Sequence, residues 1–207
     1  MKAVGGVAKD YGVVSTPQLH YFVVCQNTNG AYGVATEEGY YKKLTDAFKK
    51  IRGSQPDNGN YKADLSFDGA NGVGAAKMRD FLPFFGDSLR VEIVNDGTGA
   101  DDVLNSKCGA DFVKVQQAAS RGLEGTRGKR CVAVDGDADR VMYFFNDASG
   151  KFNMLDGDKI ATLVAGYLKE LCDGAKIDLN LGIVQTAYAN GSSTNFITNT
   201  LVSISWT

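Results

Sequence analysis

Three carboxylates alternate with small residues in the run Asp135-Gly136-Asp137-Ala138-Asp139, and Arg140 follows directly. Gly136 and Ala138 leave the backbone free to curl, so that all three acids can be aimed at one point. Three negative charges brought that close repel one another unless a cation lies among them. Carboxylate oxygens are hard ligands, which suits Mg2+. Arg140 keeps its charge and offers a planar fork of donors matched to phosphate oxygens. A divalent cation beside a fixed guanidinium is an arrangement for phosphoryl transfer.

Three other readings compete for this run. A calcium loop of the EF-hand type needs Gly at its sixth position and Glu at its twelfth. Those positions hold Arg140 and Asn146, and the flanks are strand-like. A haloacid-dehalogenase-type phosphatase places D-x-D after a buried strand but expects Thr or Val where Asp139 stands. A solvated turn favours Asp and Gly, yet three alternating acids plus Arg between two apolar runs is poor turn chemistry. The metal loop is the reading these residues favour.

The positioning elements are the two apolar runs, Cys131-Val134 and Val141-Phe145, which read as buried strands. Upstream, Ala63 to Phe67 reads as a strand, Asp68 to Gly74 as a glycine-rich loop, Ala75 to Phe81 as a helix and Leu89 to Val94 as the next strand. Gly109 to Gln117 suits a short helix. Strands alternating with helices imply a largely parallel sheet with functional loops at the strand carboxyl ends. Glu37 to Ile51 has helical spacing, with Thr36 to cap it and Gly53 to end it. Leu19 to Cys25 reads as a strand, Ser15-Thr16-Pro17 equally as the entry to it or as the lining of a cleft, and Ser54 to Asn60 as a loop. Val141-Phe145 and Phe152-Leu155 form a hairpin pattern. After Asp156 an apolar stripe of Ile160, Leu163, Val164, Tyr167, Leu168 and Leu171 predicts an amphipathic helix ending at Gly174. Leu181 to Gln185 suggests a strand and Ser192 to Leu201 a helix. The fold class is therefore α/β, in mixed-sheet layers.

Composition narrows the function classes. The chain has 207 residues, of which 43% are hydrophobic and 22% charged, enough for one or two small domains. A net charge of -2 argues against nucleic acid or an anionic membrane surface as partner. No apolar stretch approaches the roughly 20 residues of a membrane span, and Met1 to Asp10 lacks a signal-peptide core. Cys25, Cys108, Cys131 and Cys172 show no C-x-x-C spacing and read as reduced thiols of a cytoplasmic protein.

The remaining signals are weaker. Asp68 to Gly74 carries its glycines as G-x-x-G-x-G, the wrong order for a dinucleotide fingerprint, so a tight strand-to-helix turn is favoured and no nucleotide cofactor is expected. His20 lies in an aromatic-rich stretch and reads as packed or surface-lying rather than as a general base. Asp101-Asp102 and the basic residues Arg127, Lys129 and Arg130 read as solvated loops.

The run DGDADR after a strand resembles the metal loop of the α-D-phosphohexomutases and, within that superfamily, of the phosphoacetylglucosamine mutases. STPQLHY (Ser15 to Tyr21), DGANGVG (Asp68 to Gly74), NDG (Asn95 to Gly97), CGADFVK (Cys108 to Lys114), LDGDKIATL (Leu155 to Leu163) and GIVQTAYANGSST (Gly182 to Thr194) add to the likeness. It runs from about Tyr11 to Thr194 and fades after about Asn199. The resemblance implies Mg2+ held by Asp135, Asp137 and Asp139, with Arg140 beside the transferring phosphoryl group. It implies interconversion of N-acetylglucosamine 6-phosphate and 1-phosphate through a sugar bisphosphate and an enzyme phosphoserine, feeding UDP-N-acetylglucosamine synthesis. It divides the chain into the end of a first domain (1–35), a second domain with the metal loop (36–150) and the opening of a third (151–207). The family's phosphoserine loop and its sugar-selecting loop have no counterpart in these residues, so the chain by itself is expected to be inactive. The alternative is a non-catalytic Mg2+-binding or regulatory fragment.

Overall fold

The computed structural model describes residues 2–53, 61–179 and 182–201. The chain divides into two compact units, residues 1–154 and 155–207.

The first unit is built on a five-stranded sheet. Its strands are β1 (Asp64–Asp68), β2 (Arg90–Val94), β3 (Cys131–Val134), β4 (Val141–Asn146) and β5 (Phe152–Leu155), in the spatial order β2-β1-β3-β4-β5. β1 runs parallel to both β2 and β3, with Asp68 opposite Val94 and Ala133, whereas β4 pairs antiparallel to β3. The sheet is thus mixed. It is parallel where helical crossovers separate the strands and turns back where the six-residue metal loop is too short for a crossover. Asp147 closes the turn into β5, its backbone N–H donating to the Lys151 carbonyl at 3.0 Å.

Helices α1 (Thr16–Asn27), α2 (Glu37–Arg52), α3 (Val73–Phe85) and α4 (Gly109–Gln116) complete the unit. α1 replaces the strand expected over Leu19 to Cys25. Ser15 caps it in a reciprocal capping box with Gln18, and Pro17 lies in its first turn. Its buried positions Gln18, Tyr21, Phe22 and Cys25 follow helical spacing. Thr36 and Gly53 bound α2 as expected. α3 runs four residues beyond Phe81 to Phe85, with Pro83 inside it.

α4 lies on one side of the sheet, where Ala110, Val113, Leu123, Cys131, Ala133, Met142 and Phe144 form the core. α1, α2 and α3 meet in an aromatic cluster. Its ring centroids are 4.8 Å apart for Tyr41–Phe81 and for Phe81–Phe85, and 5.3 Å for Phe48–Phe85. The expected loop over Ser54 to Asn60 lies outside the described residues.

In the second unit α5 (Gly157–Ala175) starts at Asp156, whose side chain accepts from Lys159 N at 3.1 Å. The helix passes through Gly174, the expected end, and stops at Lys176 in the left-handed region, φ 55°. None of its residues is buried, and Leu163, Val164, Tyr167, Leu168 and Leu171 are exposed. α6 (Gly191–Phe196) and a π-helical turn over Ile197–Leu201 stand where one helix was expected. The described residues 182–185 of the expected strand carry no regular structure.

Candidate metal centre

The carboxyl ends of β1, β2 and β3 lie side by side, and their loops are stitched together there. Asp68, the last residue of β1, is fully buried. Its carboxylate accepts from Ala70 N at 2.9 Å, Asn95 Nδ2 at 3.0 Å and Gly109 N at 2.7 Å, so one buried side chain ties the β1–α3 turn to the segment after β2 and to the start of α4. Ala70, Asn71, Asn95 and Ala138 all have φ between 51° and 60°. Non-glycine residues in that region mark backbone held by its surroundings.

The run after β3 starts buried at Asp135 and carries Asp137 and Asp139 out to the surface of this edge. The structure brings one carboxylate oxygen from each of Asp135, Asp137 and Asp139 within 4.8 Å of one another. Asp135 is buried. Its Oδ1 accepts from the backbone N–H of Asp139 and of Arg140, both at 3.1 Å, and its Oδ2 from Arg140 Nε at 2.8 Å. Burial disfavours this charge, but the Arg140 backbone N–H and guanidinium outweigh it and hold the Asp135 carboxyl below the usual range. Asp139 moves the other way. Burial raises it, and the negative charges of Asp135 and Asp137 raise it further. Repulsion of that kind within a cluster of hard oxygen donors is what a small divalent cation relieves. A carboxylate accepts at about four sites, so the three bonds to Asp135 leave room for a cation. The donor set therefore fits Mg2+.

Arg140 is shared among three acids, since its Nε also lies 3.7 Å from Asp139 Oδ1 and its Nη1 bonds the Asp111 carboxylate on α4. Asp137 is held from α1, where Thr16 N–H donates to its carbonyl at 3.0 Å and Thr16 Oγ1 to its Oδ2 at 2.6 Å. The turn between β1 and α3 braces the loop from below, with Val73 N donating to the Gly136 carbonyl at 3.0 Å. Gly72 lies so close that a Cβ there would stand 2.3 Å from that same oxygen. The glycine pattern of Asp68 to Gly74 thus serves a close backbone approach to the metal loop.

Other expected residues lie elsewhere. His20 is exposed on α1. Lys129 pairs with Glu92 at 3.2 Å, and Arg130 donates to the Asp64 carbonyl at 3.0 Å, both at the amino ends of the strands and away from the acids. Asp102, expected to be merely solvated, pairs with Arg121 at 2.7 Å. Cys25, Cys108 and Cys131 are buried free thiols. Burial, with Asp68 nearby, pushes Cys108 up to about 11, which keeps the thiol protonated near neutral pH.

A mixed α/β layer with an acidic loop and arginine at its strand carboxyl ends is the architecture of an α-D-phosphohexomutase. The structure superposes with a TM-score of 0.84 on the crystal structure of Aspergillus fumigatus N-acetylphosphoglucosamine mutase in complex with GlcNAc-6P and magnesium, at 43% identity, covering 97% of this chain and 41% of that one. It also matches a product complex of an N-acetylglucosamine-phosphate mutase of the α-D-phosphohexomutase superfamily, with a TM-score of 0.82 and 39% identity, covering 93% of this chain and 36% of that one. Family models for phosphoacetylglucosamine mutase AMG1 match residues 30–142 (domain II) and 156–207 (domain III). The human phosphoacetylglucosamine mutase is 49% identical over 194 residues, and phosphoacetylglucosamine mutase 2 of Schizosaccharomyces pombe is 43% identical over 197 residues. The chain belongs to the phosphoacetylglucosamine mutase family. It covers about 35% of the length of these curated relatives.

Among the described residues no helix is long and apolar enough to cross a membrane.

Proposed function

We propose that this chain carries the metal-binding part of a phosphoacetylglucosamine mutase, a cytoplasmic isomerase that interconverts N-acetylglucosamine 6-phosphate and 1-phosphate through a sugar bisphosphate on the route to UDP-N-acetylglucosamine. One observation carries the reading: three carboxylates converge within 4.8 Å beside an arginine at the carboxyl edge of the sheet, in a chain of this family. Asp135, Asp137 and Asp139 would hold Mg2+. When bound there, Mg2+ withdraws charge from a phosphate oxygen and favours phosphoryl departure. Arg140, kept in place by Asp135 and Asp111, presents its remaining donors to the phosphoryl oxygens.

The domain division proposed is residues 1–35, 36–150 and 151–207. The matches of the two family domains and the boundary of the compact units at residue 155 support it. A cytoplasmic setting accords with the buried free thiols.

A chimera tests the activity. Residues 11–199 of this chain replace the matching segment of the Aspergillus fumigatus enzyme, and the product is assayed with N-acetylglucosamine 6-phosphate, Mg2+ and a trace of sugar bisphosphate. Formation of the 1-phosphate, lost in Asp137→Asn, is the expected result. A folded but inactive chimera overturns the reading.

A further inference from the structure

Of the three acids, Asp135 is fixed by Arg140 and by backbone N–H groups of its own loop. Asp137 depends on a residue 121 positions away. Its one side-chain hydrogen bond among the described residues comes from Thr16 Oγ1, at 2.6 Å, and the Thr16 backbone N–H holds the Asp137 carbonyl at 3.0 Å. A hydroxyl donating to a carboxylate at that distance is a charge-assisted bond, and with one oxygen tied down the orientation of the other is set.

Thr16 is itself firmly placed. It opens α1, immediately after the cap Ser15. Gln18, fully buried, completes the capping box and donates from Nε2 to Glu37 Oε2 and to the Tyr41 hydroxyl, each at 3.0 Å. Lys77 on α3 pairs with Glu37 at 2.8 Å. α3 is also the helix whose entry at Gly72 and Val73 presses on Gly136. The metal loop is thus gripped at consecutive residues, Gly136 from α3 and Asp137 from α1, and a polar network through α2 fixes the spacing of the two grips.

We propose that Thr16 is a positioning residue for the metal site, its hydroxyl orienting the Asp137 carboxylate for the cation. The proposal rests on reading Asp135, Asp137 and Asp139 as metal ligands. Partners of metal ligands of this kind typically change affinity by about 10–100-fold.

The test uses the 207-residue chain, with Mn2+ as a paramagnetic probe titrated by electron paramagnetic resonance and thermal unfolding measured without metal. Thr16→Val keeps the backbone N–H and removes the hydroxyl. It is expected to weaken Mn2+ binding roughly tenfold, while the metal-free chain unfolds close to the parent. Thr16→Ala, which cannot crowd the loop, is expected to match it, and Thr16→Ser to restore binding. Affinity unchanged in the hydroxyl-free variants, or equally weakened in Thr16→Ser, overturns the proposal. Absence of Mn2+ binding by the parent chain instead overturns the metal-site reading and this proposal with it.

Discussion

Arg140 Nε lies 2.8 Å from Asp135 Oδ2, and the backbone N–H of the same arginine bonds the other oxygen of that carboxylate. One residue therefore supplies two of the donors that keep a buried acid ionised. Asp135→Asn removes the charge but keeps the shape, and should cost the metal-free chain about 1–3 kcal/mol. The loss has a pH signature. The folded Asp135 carboxyl titrates below its ordinary value, so its stabilisation is complete above an unfolded pKa of about 3.9 and fades as pH falls through the folded value. Urea unfolding of both proteins across a pH series should give a constant difference near neutrality that shrinks below about pH 4. A difference that persists undiminished into acid contradicts this account.

Gly72 makes a sharper steric prediction. Its φ of -109° is open to any residue, so only space is at stake. An added Cβ would stand 2.3 Å from the Gly136 carbonyl oxygen and 2.7 Å from Gly136 Cα, both backbone atoms of the metal loop. Gly72→Ala should destabilise by about 1–3 kcal/mol and weaken Mg2+ binding at the same time. Gly157→Ala, with nothing within 4 Å of its Cβ, should be neutral or mildly stabilising. Isothermal titration and thermal unfolding of the two variants separate these effects. Unaltered metal affinity in a folded Gly72→Ala chain would show that the loop yields without moving its acids.

The acids were legible in the sequence because the candidate ligands are contiguous, and the spacing of two residues alone implied convergence. Their supports were not. Thr16 and Asp111 lie 121 and 29 residues from the side chains they hold, and no local pattern encodes such a pairing. The contact of Gly72 with Gly136 was hidden likewise, since its glycines read first as a turn. α1 was misread for a different reason. Leu19 to Cys25 is apolar and aromatic almost without interruption, which blurs the distinction between strand and buried helix. The deciding signal was Ser15 with Gln18 three residues on, a capping box that outranks the run of Val and aromatic residues. The strand expected near Leu181 rested on a short apolar run alone.

Glu37 accepts from three side chains, Gln18 Nε2 at 3.0 Å, Tyr41 OH at 3.0 Å and Lys77 Nζ at 2.9 Å. Glu37→Leu takes the shared acceptor from Tyr41 and Lys77 and leaves Gln18 Nε2 with the Tyr41 hydroxyl alone. The expected cost is about 2 kcal/mol, or a fall of about 4–8 °C in unfolding midpoint for a chain of this size. Because the same network places Thr16, Mn2+ affinity should fall as well. Scanning calorimetry with parallel metal titration checks both, and a chain that unfolds at the parental temperature would remove the network from this role.

Metal binding should itself be visible as stability. A cation that binds the folded loop and not the unfolded chain stabilises by mass action, about 1.4 kcal/mol when its free concentration is ten times Kd. For a chain of this length that raises the unfolding midpoint by roughly 3–6 °C. The rise should appear with Mg2+ or Mn2+, reverse on chelation, and vanish in Asp137→Asn and Asp139→Asn. Asp139 adds a direction in pH: burial and its two acidic neighbours hold its carboxyl above the usual range without metal, so proton and cation compete for it. The metal-induced rise should therefore be largest near neutral pH and diminish as acid protonates the cluster. A rise equal in the parent and in Asp137→Asn would place the cation somewhere other than this loop.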